Sequence, residues 1–356
     1  MHMSDALLSP AVGGAFWAGT LAVIGYCSKK IRENLDEKIV PLMGVIGAFI
    51  FAAQMINFTI PGTGSSGHLG GGMILAIVLG PFAAFIVMAS VLTIQALFFG
   101  DGGLLALGCN IWNLGFYPCF IVYPFIYKPL IRGGLTQSRI MIAAIVSAIV
   151  ALQLGAFSVV IETLLSGRSE LPFNTFVLLM QPIHLAIGVV EGLVTAGVIS
   201  FVKAARPEIL EGVIAAQPLS PEVKVKKIVL YFLVIAVIVG GFVSWFASSN
   251  PDGLEWSIKK VYGKPELPEA GQGIAARLKS FQEKTAFLPG YGFKKAEAPA
   301  GGATPGKEGD TGPSEAAGTS VSGILGVVMM VVLISLIGYG IKMARGKTGK
   351  NNNVIV

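Results

Sequence analysis

The chain has 356 residues, of which 53% are hydrophobic and only 13% are charged. This composition lies outside the range of soluble globular domains and inside the range of polytopic membrane proteins. The formal charge of +6 does not indicate a nucleic-acid partner, because basic runs interleaved with aromatic residues are missing and most lysines and arginines flank apolar segments.

The first apolar segment, residues 10–28, has about the length that a lipid bilayer requires. A secretory signal peptide carries positive charge before its apolar run, whereas here no Lys or Arg precedes Ala6 and the basic residues follow, within residues 29–32. We therefore predict that this span is retained and enters the membrane from outside. The N-terminus is then on the external face.

The segment between residues 72 and 99 fits either one helix bent at Pro81 or a short half-span followed by a return helix. A single crossing puts the basic residues of the next loop outside, against the positive-inside tendency, so we predict the half-span. Such a segment is tolerated at membrane depth where protein covers it. The predicted spans after the first are 40–60, 73–79, 82–99, 104–127, 140–165 and 173–201.

The first predicted domain covers residues 1–215, and residues 216–227, with Pro218 and Pro221, are predicted to link it to a second. The second domain, residues 228–345, has spans at 228–247 and 321–341 around a long external segment. Within that segment, residues 296–320 are rich in Ala, Gly, Pro and Glu and are predicted to be disordered. The basic residues after the last span favour a cytoplasmic C-terminus. The sequence thus predicts an all-α polytopic membrane protein with seven spans, one of them short and broken, plus two further transmembrane helices.

Two of the three histidines are expected at one point on the external face. If translation starts at Met1 and nothing is removed, the terminal amine, the His2 amide nitrogen and the His2 imidazole can close fused chelate rings around one ion. His68, in the glycine-rich loop 61–72, offers a fourth nitrogen. Square-planar nitrogen donors select Cu²⁺ or Ni²⁺ over Mg²⁺, Ca²⁺ or Mn²⁺. Each histidine alone is compatible with an ordinary terminal or loop residue, but together they favour a shared metal site.

Further polar residues near this point have two interpretations. Ser65 and Ser66 are placed to fix an imidazole by hydrogen bonds, and Asn57 either lines the same pocket or joins two helices. His184 and Glu191 lie two helical turns apart on one face of a span. Ionisable groups inside a membrane are functional candidates, although a hydrogen-bonded pair in the bundle core is the simpler interpretation for these two.

Other residues in the spans carry weaker signals. Asn110 and Asn113 either line the pocket or bond between helices, and the spacing of Gly188 and Gly192 is typical of a helix-packing face. The three cysteines have no short pair spacing and no neighbouring histidine. They are predicted to be small buried hydrophobic residues.

No motif identifies an enzyme. Residues 301–307 have the phosphate-loop spacing, but Glu308 replaces the required Ser or Thr, and His-Glu-x-x-His and Gly-x-Ser-x-Gly are missing. Any ATP hydrolysis is therefore expected in separate subunits. A proton-coupled metal transporter is one alternative, but it needs more intramembrane carboxylates than Glu162 and Glu191. An intramembrane metalloenzyme centred on His184 and Glu191 is the other.

Four stretches, residues 1–10, 67–72, 99–103 and 184–192, occur in the order found in the CbiM/NikM substrate-binding components of energy-coupling-factor metal importers, which the first 215 residues resemble. In addition, the Pro-Asp-Gly-Leu-Glu run at residues 251–255 resembles the PDGLE signature of the small NikN-type component. The whole chain is therefore similar to a fused NikM–NikN polypeptide. For residues 1–215 this implies the fold of such a substrate-binding (S) component.

The resemblance also implies a function and a site. It implies high-affinity capture and uptake of Ni²⁺, or alternatively Co²⁺, held in square-planar geometry by the Met1 amine, the His2 amide and imidazole, and His68. The expected partners are a transmembrane coupling (T) protein and a pair of cytoplasmic ATPases, in the cell (inner) membrane. The PDGLE module favours nickel. Its Asp252 and Glu255 either contact the ion in transit or cap the chain just outside a span.

Overall fold

The computed structural model describes residues 2–33, 36, 38–220, 222–268, 272–294 and 313–351, with backbone alone for 313–315 and 345–351. It is almost wholly helical, as the sequence predicts. A small antiparallel hairpin, β1 (Phe58–Ile60) and β2 (Ser65–Gly67), lies between the second and third helices. The helices are α1 (Pro10–Glu33), α2 (Ile39–Gln54), α3 (Gly72–Leu79), α4 (Pro81–Phe99), α5 (Leu107–Ile131), α6 (Gln137–Leu165), α7 (Phe173–Ala205), α8 (Pro207–Ala215), α9 (Lys226–Gly241), α10 (Gly253–Tyr262), α11 (Ile274–Thr285) and α12 (Pro313–Asn351).

Six of the described helices are long and apolar enough to cross a membrane: α1, α4, α5, α6, α7 and the Ala316–Ala344 part of α12. Helices α2 and α9 have 16 residues each, or about 24 Å of helix, which is somewhat less than the hydrocarbon thickness. Together with the short α3, these helices correspond to the nine predicted segments. The chain is an integral membrane protein with a bundle of α-helices.

The predicted break between a short helix and the longer helix that follows it is present. Helix α3 ends at Leu79, Gly80 has a positive φ of 79°, and Pro81 begins α4 at its first helical position, where a missing N–H costs no hydrogen bond. All eight residues of α3 are buried. The broken backbone is therefore enclosed by protein, as polar groups at membrane depth require.

The second span is shorter than predicted. Helix α2 ends at Gln54 instead of continuing to residue 60, and the chain then reverses in the hairpin. Gly62 and Gly64 both have positive φ in the connecting turn, a conformation that glycine adopts without steric cost. The apolar residues at the end of the predicted span are therefore the first strand of a hairpin that carries His68 at its exit.

The second predicted domain contains more helix than the sequence analysis found. Its external segment holds α10 and α11, and α12 begins at Pro313. Of the segment predicted to be disordered, residues 296–312 lie outside the described residues, and the prediction is wrong for 313–320. A proline at the first helical position and an acidic residue in the first turn favour a helix start there.

Helix α2 is the centre of the bundle. It is buried continuously from Leu42 to Gln54, because α9 and α12 of the second predicted domain pack directly on it. The contacts are close: a side chain at Gly47 would meet Met330, and one at Gly326 would overlap the ring of Phe51. The two parts of the chain therefore share one core.

Helices α6 and α7 form the other main contact. A Cβ atom at Gly188 would lie 2.9 Å from Ile149 Cα, and one at Gly192 would lie 2.5 Å from Ile145 Cα. The helix-packing face predicted from these two glycines is therefore present. This contact fixes the helix that carries His184 and Glu191.

We expect Gly192→Val to loosen this helix pair, because the added side chain overlaps the backbone of α6. Overpacking of this kind destabilises by about 1–3 kcal/mol. Thermal unfolding of the purified chain in detergent measures the effect as a lower midpoint. Gly197→Val on the same helix is the matched control, since a Cβ there meets nothing within 4 Å. Equal midpoints for the two variants would contradict the packing argument.

Candidate metal-binding site

The N-terminal segment is fixed inside the protein. The Met3 N–H donates to Asn110 Oδ1 at 2.8 Å, and Met3 O accepts from Asn110 Nδ2 at 3.2 Å and from the Gly103 N–H at 2.9 Å. The Met3 side chain is fully buried. Asn110 thus has a definite role that its sequence context left open: it holds the residue next to His2.

Two glycines form the slot that receives this segment. A side chain at Gly103 would overlap the Asp5 carboxylate, and a Cβ at Gly102, whose φ is 79°, would lie 2.9 Å from Asn110 Nδ2. Asp5 Oδ1 in turn accepts from the Ala106 N–H at 3.0 Å. Only glycine permits this approach, which gives a physical reason for the Gly-Asp-Gly-Gly sequence at this loop.

His2 and His68 meet, as the sequence analysis predicted from span counting. Their rings stack with centroids 4.9 Å apart and an interplanar angle of 16°. Two imidazoles from positions 66 residues apart in the chain are therefore within reach of one ion. Met1, the remaining predicted ligand residue, lies outside the described residues.

Asp101 orients the His2 ring. Its Oδ1 lies 2.9 Å from His2 Nδ1, and its Oδ2 accepts a 2.5 Å hydrogen bond from Tyr291. Burial alone would raise the pKa of Asp101, but the neighbouring His2 and the hydrogen bonds from His2 and Tyr291 outweigh it and hold that pKa well below its usual range. Asp101 is therefore an ionised acceptor beside the candidate ligand.

The nitrogen that faces Asp101 matters for chelation. A ring closed through the His2 amide nitrogen and imidazole has six members only if Nδ1 binds the ion, and here Nδ1 faces Asp101. His2 Nε2 is buried with no hydrogen-bond partner among the described residues. Chelation therefore requires the imidazole to turn about its Cβ–Cγ bond and release the Asp101 carboxylate.

His68 is in the form that binds metals. Its Nδ1 lies 3.0 Å from Leu69 O, which assigns the proton to Nδ1 and makes Nε2 the unprotonated ring nitrogen. Burial lowers the pKa of His68 to about 3, so the imidazole is neutral at neutral pH. Its Nε2 lies 3.8 Å from Asp252 Oδ2. A nitrogen donor and a carboxylate thus face the same space.

Glu191 holds the loop that carries His68. Its two carboxylate oxygens accept from the Gly70 and Gly71 N–H groups at 2.7 and 3.0 Å. On the other side of the loop, Gln54 Nε2 donates to Gly70 O at 2.7 Å, and Gln54 Oε1 accepts from Gln95 Nε2 at 2.9 Å. The loop backbone is therefore fixed from α7, α2 and α4, and Glu191 acts as its anchor.

Two predictions about polar partners are wrong. His184 and Glu191 do not bond to each other, because His184 Nδ1 contacts Met180 O at 2.7 Å and Glu191 is taken up by the loop. Ser65 and Ser66 do not orient an imidazole either. Their hydroxyls donate to backbone carbonyls, with Ser66 Oγ 2.7 Å from Asn250 O. Ser66 Oγ thus satisfies an acceptor in the residue that leads into the PDGLE run, whereas Ser65 Oγ donates to Ser66 O at 3.1 Å within its own strand.

The PDGLE segment docks on the His68 loop. The Ser66 N–H donates to Pro251 O at 2.8 Å, which continues the edge of β2. Gly253 approaches α7 so closely that a Cβ there would lie 3.1–3.2 Å from side-chain atoms of Ile183, His184 and Ile187. A side chain at this position would have to displace these neighbours, which favours glycine here, and the motif closes one side of the candidate site.

Asp252 and Glu255 form a capping box at the start of α10. Asp252 Oδ1 accepts from the Leu254 and Glu255 N–H groups at 2.8 Å each, and Glu255 Oε2 accepts from the Asp252 N–H at 3.0 Å. The capping interpretation is therefore confirmed. Asp252 does more than cap, since its other carboxylate oxygen is the one that faces His68.

A cavity of about 900 Å³ lies next to His2 and His68, and both residues form part of its wall. Asn57, one of the predicted pocket residues, lines it, as do Asp101, Asp252 and Tyr291. Gln282 of α11 donates to Gly102 O at 2.7 Å, so the second predicted domain also supports the glycine slot. Tyr291 and Gln282 had no signal in the sequence, whereas Asp101 stands in a stretch that the family resemblance had marked.

Side chains alone do not complete the site. Across the described parts of the chain, no three or more His, Cys, Asp or Glu side chains gather as they do around a metal ion. A site at His2 and His68 therefore needs backbone or terminal donors as well. Nitrogen donors of that kind suit late first-row metals.

Comparison with known proteins identifies the family. Residues 2–209 match the family CbiM, cobalt uptake substrate-specific transmembrane region. The chain belongs to the CbiM family. Residues 226–343 match the PDGLE domain, so the chain has the fused arrangement that the sequence analysis described.

Relatives of this CbiM-family chain include proteins named for both metals. It is 30% identical to the fused nickel transport protein NikMN of Rhodobacter capsulatus, over 59% of this chain and 64% of that protein. It is 28% identical to the cobalt transport protein CbiM of Sorangium cellulosum, over 59% of this chain and 95% of that one. A solved structure described as a transition metal transporter matches 58% of this chain and 95% of its own, with 32% identity and a TM-score of 0.52.

These matches decide between the classes that the sequence left open. The family and its named members are metal transport proteins. This CbiM-family chain is accordingly a transport protein for nickel or cobalt and not an enzyme. Both buried carboxylates in its spans are committed to hydrogen bonds, Glu162 to Asn113 and Ser158 and Glu191 to the loop.

We expect Glu191→Gln to release the His68 loop. An amide offers one acceptor where the carboxylate offers two, so one glycine N–H loses its partner, at a cost of about 1–3 kcal/mol. Hydrogen exchange of the peptide covering residues 61–72 should become faster. Glu162→Gln is the matched control, because Glu162 is equally buried but accepts only from side chains. Unchanged exchange in Glu191→Gln would contradict the anchoring role.

Proposed function

We propose that this chain captures Ni²⁺ with high affinity on the external side of the membrane, as the substrate-specific component of an ATP-driven importer. The ion is held in a square plane by the Met1 amine, the His2 amide nitrogen, the His2 imidazole and His68. Ni²⁺ is the transported substrate and not a resident cofactor. Co²⁺ capture by the same architecture is the alternative.

One observation carries the proposal: the N-terminal segment lies in the Gly102–Gly103 slot, and His2 stacks on His68 at 4.9 Å. A chain terminus is normally solvated and mobile. Fixing it through Asn110 lowers the entropy lost when the ion binds, which is the general benefit of a preorganised site. The arrangement supports a role for the terminus itself in binding.

The chemistry of the donor set suits this role. Four nitrogens in a plane match the geometry that Ni²⁺ accepts and that harder cations do not. Binding through the His2 amide nitrogen releases its proton, and the terminal amine must also be deprotonated. Affinity therefore rises with pH and falls steeply in acid. The turn of the His2 ring away from Asp101 accompanies this step.

The choice of nickel over cobalt is supported by the second module. The chain carries a PDGLE domain and aligns with a relative named as a fused nickel transport protein. The family as a whole is described by cobalt uptake, so cobalt stays the alternative. Offering both ions at once tests the choice directly.

An ATP-driven importer needs subunits that hydrolyse ATP, and this sequence contains no complete phosphate loop. A transmembrane coupling protein and two cytoplasmic ATPases are the partners that the family resemblance implies. The basic residues in and around the α5–α6 loop, Lys128, Arg132 and Arg139, and at the end of α7, Lys203 and Arg206, support an orientation with the N-terminus outside and the C-terminus in the cytoplasm. Release of the ion then requires the square plane to be broken when the partners act.

In the proposed cycle the PDGLE segment covers the loop. Its Pro251 and Asn250 carbonyls bind Ser66, and its Asp252 faces His68. These contacts support a segment that stabilises the ion-binding position of the loop. They do not require Asp252 or Glu255 to bind the ion at the first site.

We expect the chain with its authentic Met1 start to hold about one nickel ion, and a version with three extra residues before Met1 to lose it. The extension turns the Met1 amine into an amide and places the new amine too far from His2 for the two to share fused five- and six-membered chelate rings. A single extra residue is unsuitable, because it would make His2 the third residue, whose imidazole closes such rings with the amine and two amide nitrogens. Elemental analysis of the purified chain, after nickel and cobalt are offered together, gives both stoichiometry and preference.

The control is a chain with an insertion near the C-terminus, which is expressed and purified in the same way but keeps the Met1 amine unchanged. Equal nickel in the native and N-terminally extended forms would refute the amine as a ligand. A native chain that prefers cobalt would select the alternative substrate and leave the site in place.

We expect Gly253→Val to weaken nickel binding about tenfold, in the range found when groups that support metal ligands are removed. The added side chain cannot fit against Ile183 and Ile187, so the PDGLE segment moves off the loop. Isothermal titration with Ni²⁺ measures the change. Gly292→Val, in the same module but with nothing within 4 Å of its Cβ position, should bind as the wild type does. Wild-type affinity in Gly253→Val would contradict the covering role.

A further inference from the structure

We propose that His184, together with Asp252, forms a second station for the transported divalent cation, on the inner side of the His68 loop. The inference rests on the proposed function, in which the ion first binds at His2 and His68. It assigns to His184 a direct contact with the ion on its way into the membrane.

The first observation is a cavity beneath the loop. It is lined by His68, His184 and Asp252, with the backbone of the loop and the apolar side chains of Leu114, Leu152 and Ile187 as its other walls. Its volume of about 10 Å³ is room for roughly one water molecule. A bare divalent cation is of the same scale, whereas an organic solute does not fit.

The second observation is the state of His184. Its side chain is 1% exposed, within helix α7, and its Nδ1 contacts Met180 O at 2.7 Å. The proton is thereby assigned to Nδ1. Nε2, which then carries a lone pair, has no hydrogen-bond partner among the described residues. Burying such an acceptor unpaired costs about 1–3 kcal/mol, so a group that binds it is required by the energetics.

His184 repeats the arrangement seen at His68. In both residues Nδ1 faces a backbone carbonyl, Leu69 O or Met180 O, which leaves Nε2 as the donor atom. This is the arrangement by which proteins orient histidines that bind metals. Both rings line the same cavity, so an ion leaving the first histidine meets the second without crossing an apolar wall.

Asp252 connects the two positions. It lines the outer cavity beside His2 as well as the inner one beside His184. Oδ1 is used in capping α10, while Oδ2 faces His68. A carboxylate at this place lowers the energy of a cation on either side of the loop. The PDGLE segment thereby supplies a ligand to the inner station that residues 1–215 do not.

The inner station has few protein ligands, and this suits transit. Among the described residues no third metal-binding side chain joins His184 and Asp252. A path must bind an ion strongly enough to accept it and weakly enough to release it. The outer site, with four nitrogens, captures the ion; the inner one, with two side chains and water, passes it on.

The test separates capture from passage. His184→Asn keeps an amide N–H near Met180 O but removes the donor at Nε2, and His184→Gln places an amide oxygen near the Nε2 position. Each variant chain, with an authentic Met1 start, is expressed with a coupling protein and an ATPase pair. Two quantities are measured: nickel bound by the purified chain, and the initial rate of ⁶³Ni²⁺ uptake by cells.

We expect His184→Asn to hold as much nickel as the wild type while its uptake rate falls about tenfold, a loss of the size seen when metal-supporting groups are removed. His184→Gln should recover part of the rate. Leu185→Val, on the exposed face of the same helix and outside the cavity lining, should take up nickel at the wild-type rate.

A further variant distinguishes a ligand from a structural residue. His184→Cys offers a softer donor, so Cd²⁺ should compete more strongly with ⁶³Ni²⁺ uptake than it does in the wild type. A residue that only packs the cavity would not change this competition, and an ordered water as the sole partner of His184 Nε2 would leave the metal preference unchanged.

The outcomes are distinct. Wild-type uptake in His184→Asn would overturn the inner station, and so would parallel loss of bound nickel and uptake, which would make His184 a support of the loop. A wild-type chain that neither holds nor imports nickel would instead refute the proposed function.

Discussion

The candidate site depends on one buried carboxylate. Glu191, on a membrane-spanning helix, accepts both the Gly70 and Gly71 N–H groups, and the loop that carries His68 takes its position from these bonds. In a low-dielectric interior such hydrogen bonds are strong and costly to leave unmade. The loop in turn offers the edge of β2 to the PDGLE segment and starts the half-span α3. The position of the external His68 loop is thus determined by a residue inside the helix bundle.

The second half of the site comes from a different part of the chain. His2 is held through Asn110 of α5 and the Gly102–Gly103 slot, whereas His68 is held from α7, α2 and α4. Each of the two segments is anchored by residues far away in the sequence. The distance between the His2 and His68 rings therefore depends on the relative position of two separately anchored segments. Any motion of α5 relative to α7 changes this distance.

The sequence allowed the spans, the half-span at α3 and the meeting of His2 with His68 to be predicted, because charge and span length determine which loops share a face. Periodicity could place His184 and Glu191 on one side of a helix, but it could not name their partners, which lie on other elements. The roles of Asp101, Tyr291 and Gln282 were likewise hidden, since they arise from contacts between residues about 190 apart in the chain. The helix start at Pro313 was missed because the Ala, Gly, Pro and Glu content of residues 296–320 favoured disorder. The proline at the first helical position and the acidic residue in the first turn were a weaker signal.

The packing of α9 and α12 on α2 has a consequence for the PDGLE segment. Because both modules are one polypeptide, the segment meets its loop at an effective concentration set by geometry and not by the amount of protein in the membrane. Docking is then independent of dilution, and each loop has its own cover in a fixed ratio of one to one. A separate subunit would have to find its partner by lateral diffusion and would compete with other copies. The covalent link makes docking of the PDGLE segment on the His68 loop an equilibrium within one polypeptide instead of an association between two.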